Sequence, residues 1–533
     1  MKEPRRLEAD ETRLAAVAER LERRCLEPGD YALLKVVIDT VCFLSRQVRQ
    51  KATSIQRLLR MIFGARTEKT RAVLNRGVTA EPATETPGEK PPRKGHGRRA
   101  ARAYWGARKV QVSHSQFKVG QKCPACDQGQ LYDTGRPSVL LHLQAQPIIA
   151  GTVFELEKLR CAACGQLFSA TPPVEAGQEK YAPNVAPMLA VLRYGYGLPM
   201  NRMAQLQEDF GVPLPSGTQW ELIDEHCREL GEVYEGFLRD AADGEIFFND
   251  DTPVKILTVQ KQIREDENRP ADERNPRTGV FTTGIVVKKG EHTLTLFFSG
   301  RRHAGENLQA VLDRRSSALD APIQMCDGLD RNVPGTTPTL LANCNTHGRR
   351  GFVEVADAFP EECAYVLETI QQVYACDQQA KTEHLSPEQR LALHQRISGP
   401  LMDTLKQWME RKLEAQEVEP NSNLGEALRY ELKHWEPLTL FLRVPAAPLD
   451  NDLCERALKM AIRHRTNSLF YKTEKGAHVG DLFMSLIHTC RLSRINPFDY
   501  LTTLRKYAHK LRDGPTAWMP WNYQATVAAL AQP

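Results

Sequence analysis

FFNDDTPVKIL, residues 247–257, is the stretch that decides how this chain is read. A run of aromatic and apolar side chains ends in two adjacent aspartates, Asp250 and Asp251, followed by a proline. EIFFND (245–250) and PVKILTV (253–259) each read as a short strand. In an extended strand neighbouring side chains point to opposite faces, so only one of the two aspartates can serve a given site, and periodicity leaves the choice open. Two distant segments also place an acid at the edge of a regular element. APIQMCDGLD (321–330) reads as a strand ending at Asp327, and APLDNDLCERALKMAIRHRTN (447–467) reads as a helix carrying Glu455. Two carboxylates on strands and a third on a helix can hold two magnesium ions, or manganese in their place. Such a pair can activate water or a DNA 3′-hydroxyl and stabilise the leaving oxygen of a phosphodiester.

The surrounding pattern supplies a frame for those acids. GVFTTGIVVK (279–288) and HTLTLFFSG (292–300) are rich in β-branched and aromatic residues and read as strands. IREDENRPADERNPR (263–277) is too polar for a core and reads as a surface loop. A helix over about 303–314 precedes the strand ending at Asp327, and TLLANCNTH (339–347) supplies a fifth strand. Three strands, a helix and another strand ending in Asp make the order of an RNase H-like core. Residues 352–445 carry helical patterns rich in Gln, Glu, Lys and Leu, which predicts a helical insertion before the helix of Glu455. On that helix Arg456, Lys459 and Arg463 follow Glu455, and His347, Arg349 and Arg350 follow the fifth strand; these cations suit a bound DNA strand.

Upstream, residues 11–26 read as a helix interrupted by Glu27-Pro28-Gly29-Asp30. A second helix is expected from Tyr31 to Phe63. Leu34, Val41, Val48, Ile55 and Ile62 recur every seven residues, with Val37, Leu44 and Leu58 between them and Lys51 as the break. This predicts a coiled coil that joins copies of the chain. Residues 76–94 are poor in apolar side chains and lead into RKGHGRRAARAYWGARK (93–109). Arg93, Lys94, Arg98, Arg99 and Arg102, interleaved with glycines, suit a basic arm on a phosphate backbone. Cys123-Pro-Ala-Cys126 and Cys161-Ala-Ala-Cys164 are separated by 34 residues. Four thiolates in two tight knuckles complete a closed, structural zinc site, and VLLHLQAQPIIAGTVFELEKLR (139–160) suits a β-ribbon between them. MNRMAQLQEDF (200–210), Gly211 and PLPSGTQWELIDEHCREL (213–230) have helix-turn-helix spacing, with Ser216 as N-cap.

The expected fold is therefore a multidomain α/β chain. Its regions are an oligomerising helical part (1–75), a basic linker (76–112), a four-cysteine zinc module (113–175) and a helix-turn-helix-like region (176–242). An RNase H-like core follows in two parts (243–351 and 446–490) around the helical insertion (352–445), with a C-terminal region at 491–533. The net charge of +5 with 41% hydrophobic and 26% charged residues is an ordinary globular balance, so local basic clusters carry the argument for nucleic acid. No stretch approaches the roughly 20 apolar residues of a membrane span. MKEPRRLEADETR lacks the apolar centre of a signal peptide, so a cytoplasmic location is expected.

Taken together, the segments resemble the transposases of the insertion sequence 66 family, which are bacterial DDE transposases. RMIFGARTEK (60–69), GHGRR (95–99), the paired cysteine knuckles and YGYGLPMNRMAQLQEDFGVPL (194–214) are similar to successive family segments. So are NDDTPVKIL, CDGL, CNTHGRRGF (344–352), PLDNDLCERALK (448–459) and CRLSRINPFDYL (490–501). Leu329, Asn345, Thr466 and Ser468 stand where the family has Tyr, Trp, Lys and Trp. The resemblance implies Asp250, Asp327 and Glu455 as the three catalytic acids. It implies cleavage at terminal inverted repeats of double-stranded DNA and strand transfer into target DNA. It also implies a nucleoid-associated bacterial protein that works with small accessory transposition proteins. Two rival expectations remain: an RNase H-like nuclease that does not join strands, and a catalytically silent zinc-containing DNA-binding regulator.

Overall fold

A computed structural model describes residues 179–267 and 277–531, together with 148–160, 167–177, most of 116–132 and a few positions between 16 and 73. The chain divides into two compact units at Val78/Thr79. In the first unit helical backbone runs through residues 19–21 and again through 28–31. Pro28, Gly29 and Asp30 therefore open the second helix and do not interrupt the first; the break lies at 25–27. Proline's fixed φ suits the first helical position. Asp30 accepts the N–H of Glu27 at 3.0 Å and pairs with Arg20 at 2.8 Å, which ties the two helical stretches together. Beyond Val37, the heptad positions lie outside the described residues, as do Arg93, Lys94, Arg98, Arg99 and Arg102.

In the second unit, the described part of the cysteine module begins with a tight turn. Cys123 N–H donates to Gly129 O at 2.8 Å, and Lys122 bridges Gln130. Two short strands, β1 (Lys158–Arg160) and β2 (Leu167–Ser169), pair antiparallel. Residues 148–157 of the expected ribbon form no strand: Ile148 and Ile149 are half-buried, whereas Val153, Phe154 and Leu156 are exposed and, among the described residues, pair with no strand.

Helices α1 (Val185–Ala190), α2 (Met200–Asp209), α3 (Ser216–Glu229) and α4 (Gly231–Ala242) lead to the central sheet. Gly211, at φ 73°, makes the turn between α2 and α3. Pro215, not Ser216, is the N-cap of α3. Its fixed φ and extended ψ set the entry to the helix, and Ser216 is the first helical residue.

Strand β3 (Ile246–Pro253) is followed by helix α5 (Leu257–Glu267), strands β4 (Phe281–Lys289) and β5 (His292–Gly300), helix α6 (Ala304–Leu312), and strands β6 (Ile323–Cys326) and β7 (Leu340–Asn343). The sheet order is β5-β4-β3-β6-β7. β3, β4 and β5 are antiparallel, whereas β6 and β7 run parallel to β3. PVKILTV is not a strand. Pro253 ends β3, and Ile256 and Val259 are buried three residues apart at helical spacing. The expected polar loop is accordingly helical as far as Glu267.

Helix α7 (Asn345–Val355) opens the insertion, which continues through α8 (Pro360–Thr382), α9 (Pro387–Glu414) and α10 (Asn423–Lys433). The chain returns as α11 (Asp452–Ser468), which lies on β3 and β4, and α12 (Glu474–Leu492), which covers β5. Inside the insertion Asp377, 3% exposed, pairs with Arg390 and Lys381 at 2.7 Å each. His394, Lys381 and Arg390 hold its carboxyl well below the usual range although burial opposes them. No helix among the described residues is long and apolar enough to cross a membrane.

Candidate active site

Three chain segments deliver one acid each to the same end of the sheet. Asp250 lies near the end of β3, Asp327 follows β6 directly, and Glu455 sits in the first turn of α11. The charges of the other two are felt at Asp250. Burial, then the charges of Asp327, Asp251 and Glu455, push the Asp250 carboxyl up to about 7, against the pull of the Asp251 N–H. That N–H donates to Asp250 Oδ1 at 2.7 Å.

The two faces of β3 separate the adjacent aspartates. On one face, Thr252 Oγ1 accepts from Arg465 of α11 at 3.0 Å, and Asp250, two residues away, shares that face with Glu455. Asp251 points the other way, toward α6. Its side chain is 2% exposed and pairs with His303 at 3.1 Å and Arg331 at 3.6 Å.

Gly284 of β4 is the register partner of Asp250 and lets α11 lie close to the sheet. A Cβ at Gly284 would come within 3.0 Å of Leu458 and 3.4 Å of Cys454. The Cys454 thiol donates to Gly284 O at 3.2 Å, which fixes the turn that carries Glu455. A buried amide network holds the neighbouring strand ends. Gln324 donates to Asn249 Oδ1 at 2.9 Å and to Asn332 O at 2.7 Å. Asn249 also donates to Asn332 O, and the Asn332 amide donates to Asp327 Oδ1. Asp327 is thus oriented from behind by a side chain that is itself fully buried.

The insertion reaches the same acids. His347 Nε2 of α7 stands 3.9 Å from Glu455 Oε1, an oxygen that is buried and without a hydrogen-bond partner among the described residues. Cys344, His347 and Glu455 bring their ligand atoms within 4.8 Å of one another. Cys344 is the N-cap of α7, and N–H groups of Asn451, His347 and Thr346 face its sulfur. Burial outweighs them and pushes the thiol up to about 11. Tyr430 and His434, with rings 4.6 Å apart, lie against Gly328 beside Asp327.

Arg456, Lys459 and Arg463 share an exposed stripe on α11. Arg349 and Arg350 are half-buried on α7, and each has a partner within the protein. The outer face of α3 carries Glu221, Glu225 and Arg228, while Asp224 is paired with Lys475 of α12. Glu225 is paired with Arg505 at 3.1 Å, so the outer face of α3 is of mixed charge. Cys126 of the first knuckle receives the N–H groups of Gly129 and Gln128, which lower its thiol pKa. Cys161 and Cys164 lie outside the described residues. His303, Gly284, Asn332 and Cys344 were not singled out as site residues by sequence reasoning; the glycine inside an otherwise β-branched strand and the place of Cys344 at the head of CNTHGRRGF were the signals.

The family model described as "Transposase IS66 family" matches residues 179–479. The chain belongs to this transposase family. The matched span contains all three acids, the insertion and α11. Among its relatives, the uncharacterized proteins y4hP and y4jD of Sinorhizobium fredii are both 24% identical to it. The y4hP match covers 70% of this chain and 68% of the relative; the y4jD match covers 64% and 66%. No solved structure matches the chain. Membership in an IS66 transposase family implies a DNA-processing role with a divalent metal. The donors present suit one: three carboxylates, of which one is pushed up to about 7 by burial and then by its acidic neighbours, and another has an orphaned oxygen. A cation relieves both conditions.

Proposed function

We propose that this transposase is a DDE-type polynucleotidyl transferase with an RNase H-like core. It cleaves DNA at terminal inverted repeats and joins the freed 3′-hydroxyl to target DNA. The observation that carries this reading is the convergence of Asp250, Asp327 and Glu455 from segments more than 70 residues apart, with the charge of the other two acids felt at Asp250. Asp250, Asp327 and Glu455 would hold magnesium or manganese, which when bound supplies an activated oxygen nucleophile and stabilises the leaving oxygen.

The protein's own part is positioning. Asn332 orients Asp327, the Gly284–Cys454 contact seats Glu455, and Asp251 is reserved for the His303–Arg331 pair behind the strand. Arg456, Lys459 and Arg463 form a cationic track that starts beside Glu455 and runs two turns along α11, suited to the phosphates of a bound strand. In this reading Arg349 and Arg350 flank the cleft, and Arg93, Lys94, Arg98, Arg99 and Arg102 form a basic arm. Cys123, Cys126, Cys161 and Cys164 hold a structural zinc ion, and the N-terminal helix joins copies of the chain, with accessory proteins completing the assembly.

The test uses a labelled duplex carrying the inverted repeat that flanks the gene. Wild type is expected to nick at the repeat end and form joined product only with magnesium, whereas Asp327→Asn and Glu455→Gln bind without cutting. Magnesium is also expected to raise the melting temperature of wild type but not of Asp250→Asn. Cleavage without joining would establish the nuclease instead, and binding with no cleavage by wild type, even with the accessory proteins supplied, would establish the regulator.

A further inference from the structure

We propose that Cys344, His347 and Glu455 form a binding site for a thiophilic divalent cation of the zinc class, and that its occupation withdraws Glu455 from the acidic cluster. The site itself rests on geometry. Only its consequence for catalysis rests on the function proposed above.

Cys344 and His347 are three residues apart at the start of α7, so both project from one turn of the helix. Glu455 reaches them from the first turn of α11. The ligand atoms already lie within 4.8 Å of one another, and His347 Nε2 is 3.9 Å from Glu455 Oε1. Bonds of about 2.0–2.3 Å to zinc in a tetrahedral arrangement bring such atoms to roughly 3.3–3.7 Å, so side-chain adjustments of about 1 Å close the site.

Three further observations point to a ligand there. The Cys344 sulfur receives the Asn451 N–H at 3.3 Å and faces the N–H groups of Thr346 and His347, donors that offset negative charge on the sulfur once a cation displaces its proton. Glu455 Oε1 is buried with no hydrogen-bond partner among the described residues. His347 Nδ1 is equally unpartnered, so the ring's polar engagement in this structure is toward Glu455.

The donor set discriminates between metals. One sulfur, one imidazole and one carboxylate select zinc-class ions over magnesium, which takes oxygen ligands. Three protein ligands leave a fourth position open to water. Because Glu455 belongs to both sets, zinc at this position and the magnesium arrangement compete for one carboxylate.

The experiment counts metal in the full-length protein after equilibration with zinc and removal of the loosely bound fraction. The four-cysteine module contributes the same amount in every sample. Cys344→Ser and His347→Gln are each expected to hold one zinc equivalent fewer than wild type. Cobalt(II) in place of zinc is expected to give a thiolate charge-transfer band in wild type that is weaker by one thiolate's share in Cys344→Ser. A wild-type zinc count in either folded variant overturns the site. His347 is only half-buried, so its variant keeps the test decisive where the buried Cys344 variant fails to fold. In a second arm, with each protein referred to its own zinc-free rate, zinc is expected to inhibit magnesium-dependent cleavage by a far larger fraction in wild type than in His347→Gln. A preparation that cuts no DNA at all defeats the proposed function while the metal count still decides the site.

Discussion

Replacing Glu431 by Gln tests the electrostatics of the insertion directly. Glu431 lies on α10, is 4% exposed, and its Oε1 has no hydrogen-bond partner among the described residues. That oxygen fills the space that a side chain at Gly348 would take. Burial alone pushes the carboxyl from 4.5 up to about 8. The sign follows from linkage. Between those values the folded protein keeps a proton that the unfolded chain releases, so this group's contribution is fully present below pH 4.5 and is lost as pH rises through 8. At roughly 1.4 kcal/mol per pH unit, the total is about 5 kcal/mol, of which about 3 is already lost at pH 7. Gln keeps the shape and cannot ionise. Wild type and Glu431→Gln are therefore expected to melt together near pH 4.5 and to diverge steadily above it, the variant gaining roughly 6 °C by pH 7 at about 2 °C per kcal/mol. Thermal melting across pH 4.5 to 9, read as the difference between the two proteins, cancels every titration they share. Parallel curves would refute the reasoning, because they would mean that Glu431 is charged and compensated in the folded state.

Gly284→Val forces methyl groups into Leu458 and Cys454, and is expected to cost about 1–3 kcal/mol in stability and to abolish cleavage by lifting Glu455; melting and the nicking assay read the two effects separately. Replacing Arg456, Lys459 and Arg463 together by Ala is expected to weaken DNA binding evenly across sequences. It should also reduce the slope of log affinity against log salt by roughly 2–3, measured by anisotropy titration. Asp377→Asn leaves Arg390 and Lys381 without their buried counter-charge and is expected to destabilise by about 3–5 kcal/mol, seen as a lower melting temperature at neutral pH.

What was legible in the sequence follows from the range of the interactions involved. β4 and β5 were readable because β-branched and aromatic runs pair locally through a tight turn. The acid positions at strand ends were readable because a buried apolar run must stop where a carboxylate reaches the cleft. PVKILTV was misread because a short apolar run fits a strand or one face of a helix equally well; the outcome depends on Pro253 ending β3 and on Ile256 bridging Tyr471, more than 200 residues away. Asp250 and Asp251 were indistinguishable for a related reason. Alternation shows that they diverge, but only the placement of α11 on one face and of His303 and Arg331 on the other says which carboxylate meets Asp327 and Glu455. The helix-turn-helix spacing was real as geometry, and the outward residues of α3 are of mixed charge, with Glu225 paired to Arg505. Spacing describes a hairpin of helices; charge on the exposed face describes what it can touch.

The insertion raises the question of how about a hundred residues can be placed between the second and third acids without loosening the site. Its ends supply the answer. Cys344 and Asn345 leave β7 beside the point where the chain returns: Asn345 N–H donates to Leu449 O at 3.0 Å, and the Asn345 amide donates to Leu438 O and Leu449 O. Asn451, fully buried at the N-cap of α11, donates its backbone N–H to Cys344 Sγ and its side-chain amide to Asn249 O at 3.1 Å. One residue thus joins the strand of Asp250, the exit from β7 and the helix of Glu455. Arg390 adds a bond from inside the insertion to Ala447 O. With both ends clamped, lengthening the segment between them costs little in loop entropy and does not reach the acids. The geometry of the third acid is set by Asn451 and Gly284, which lie outside the insertion. The insertion is therefore free to contribute side chains of its own, His347, Tyr430 and His434, to the rim of a cleft that it does not have to build.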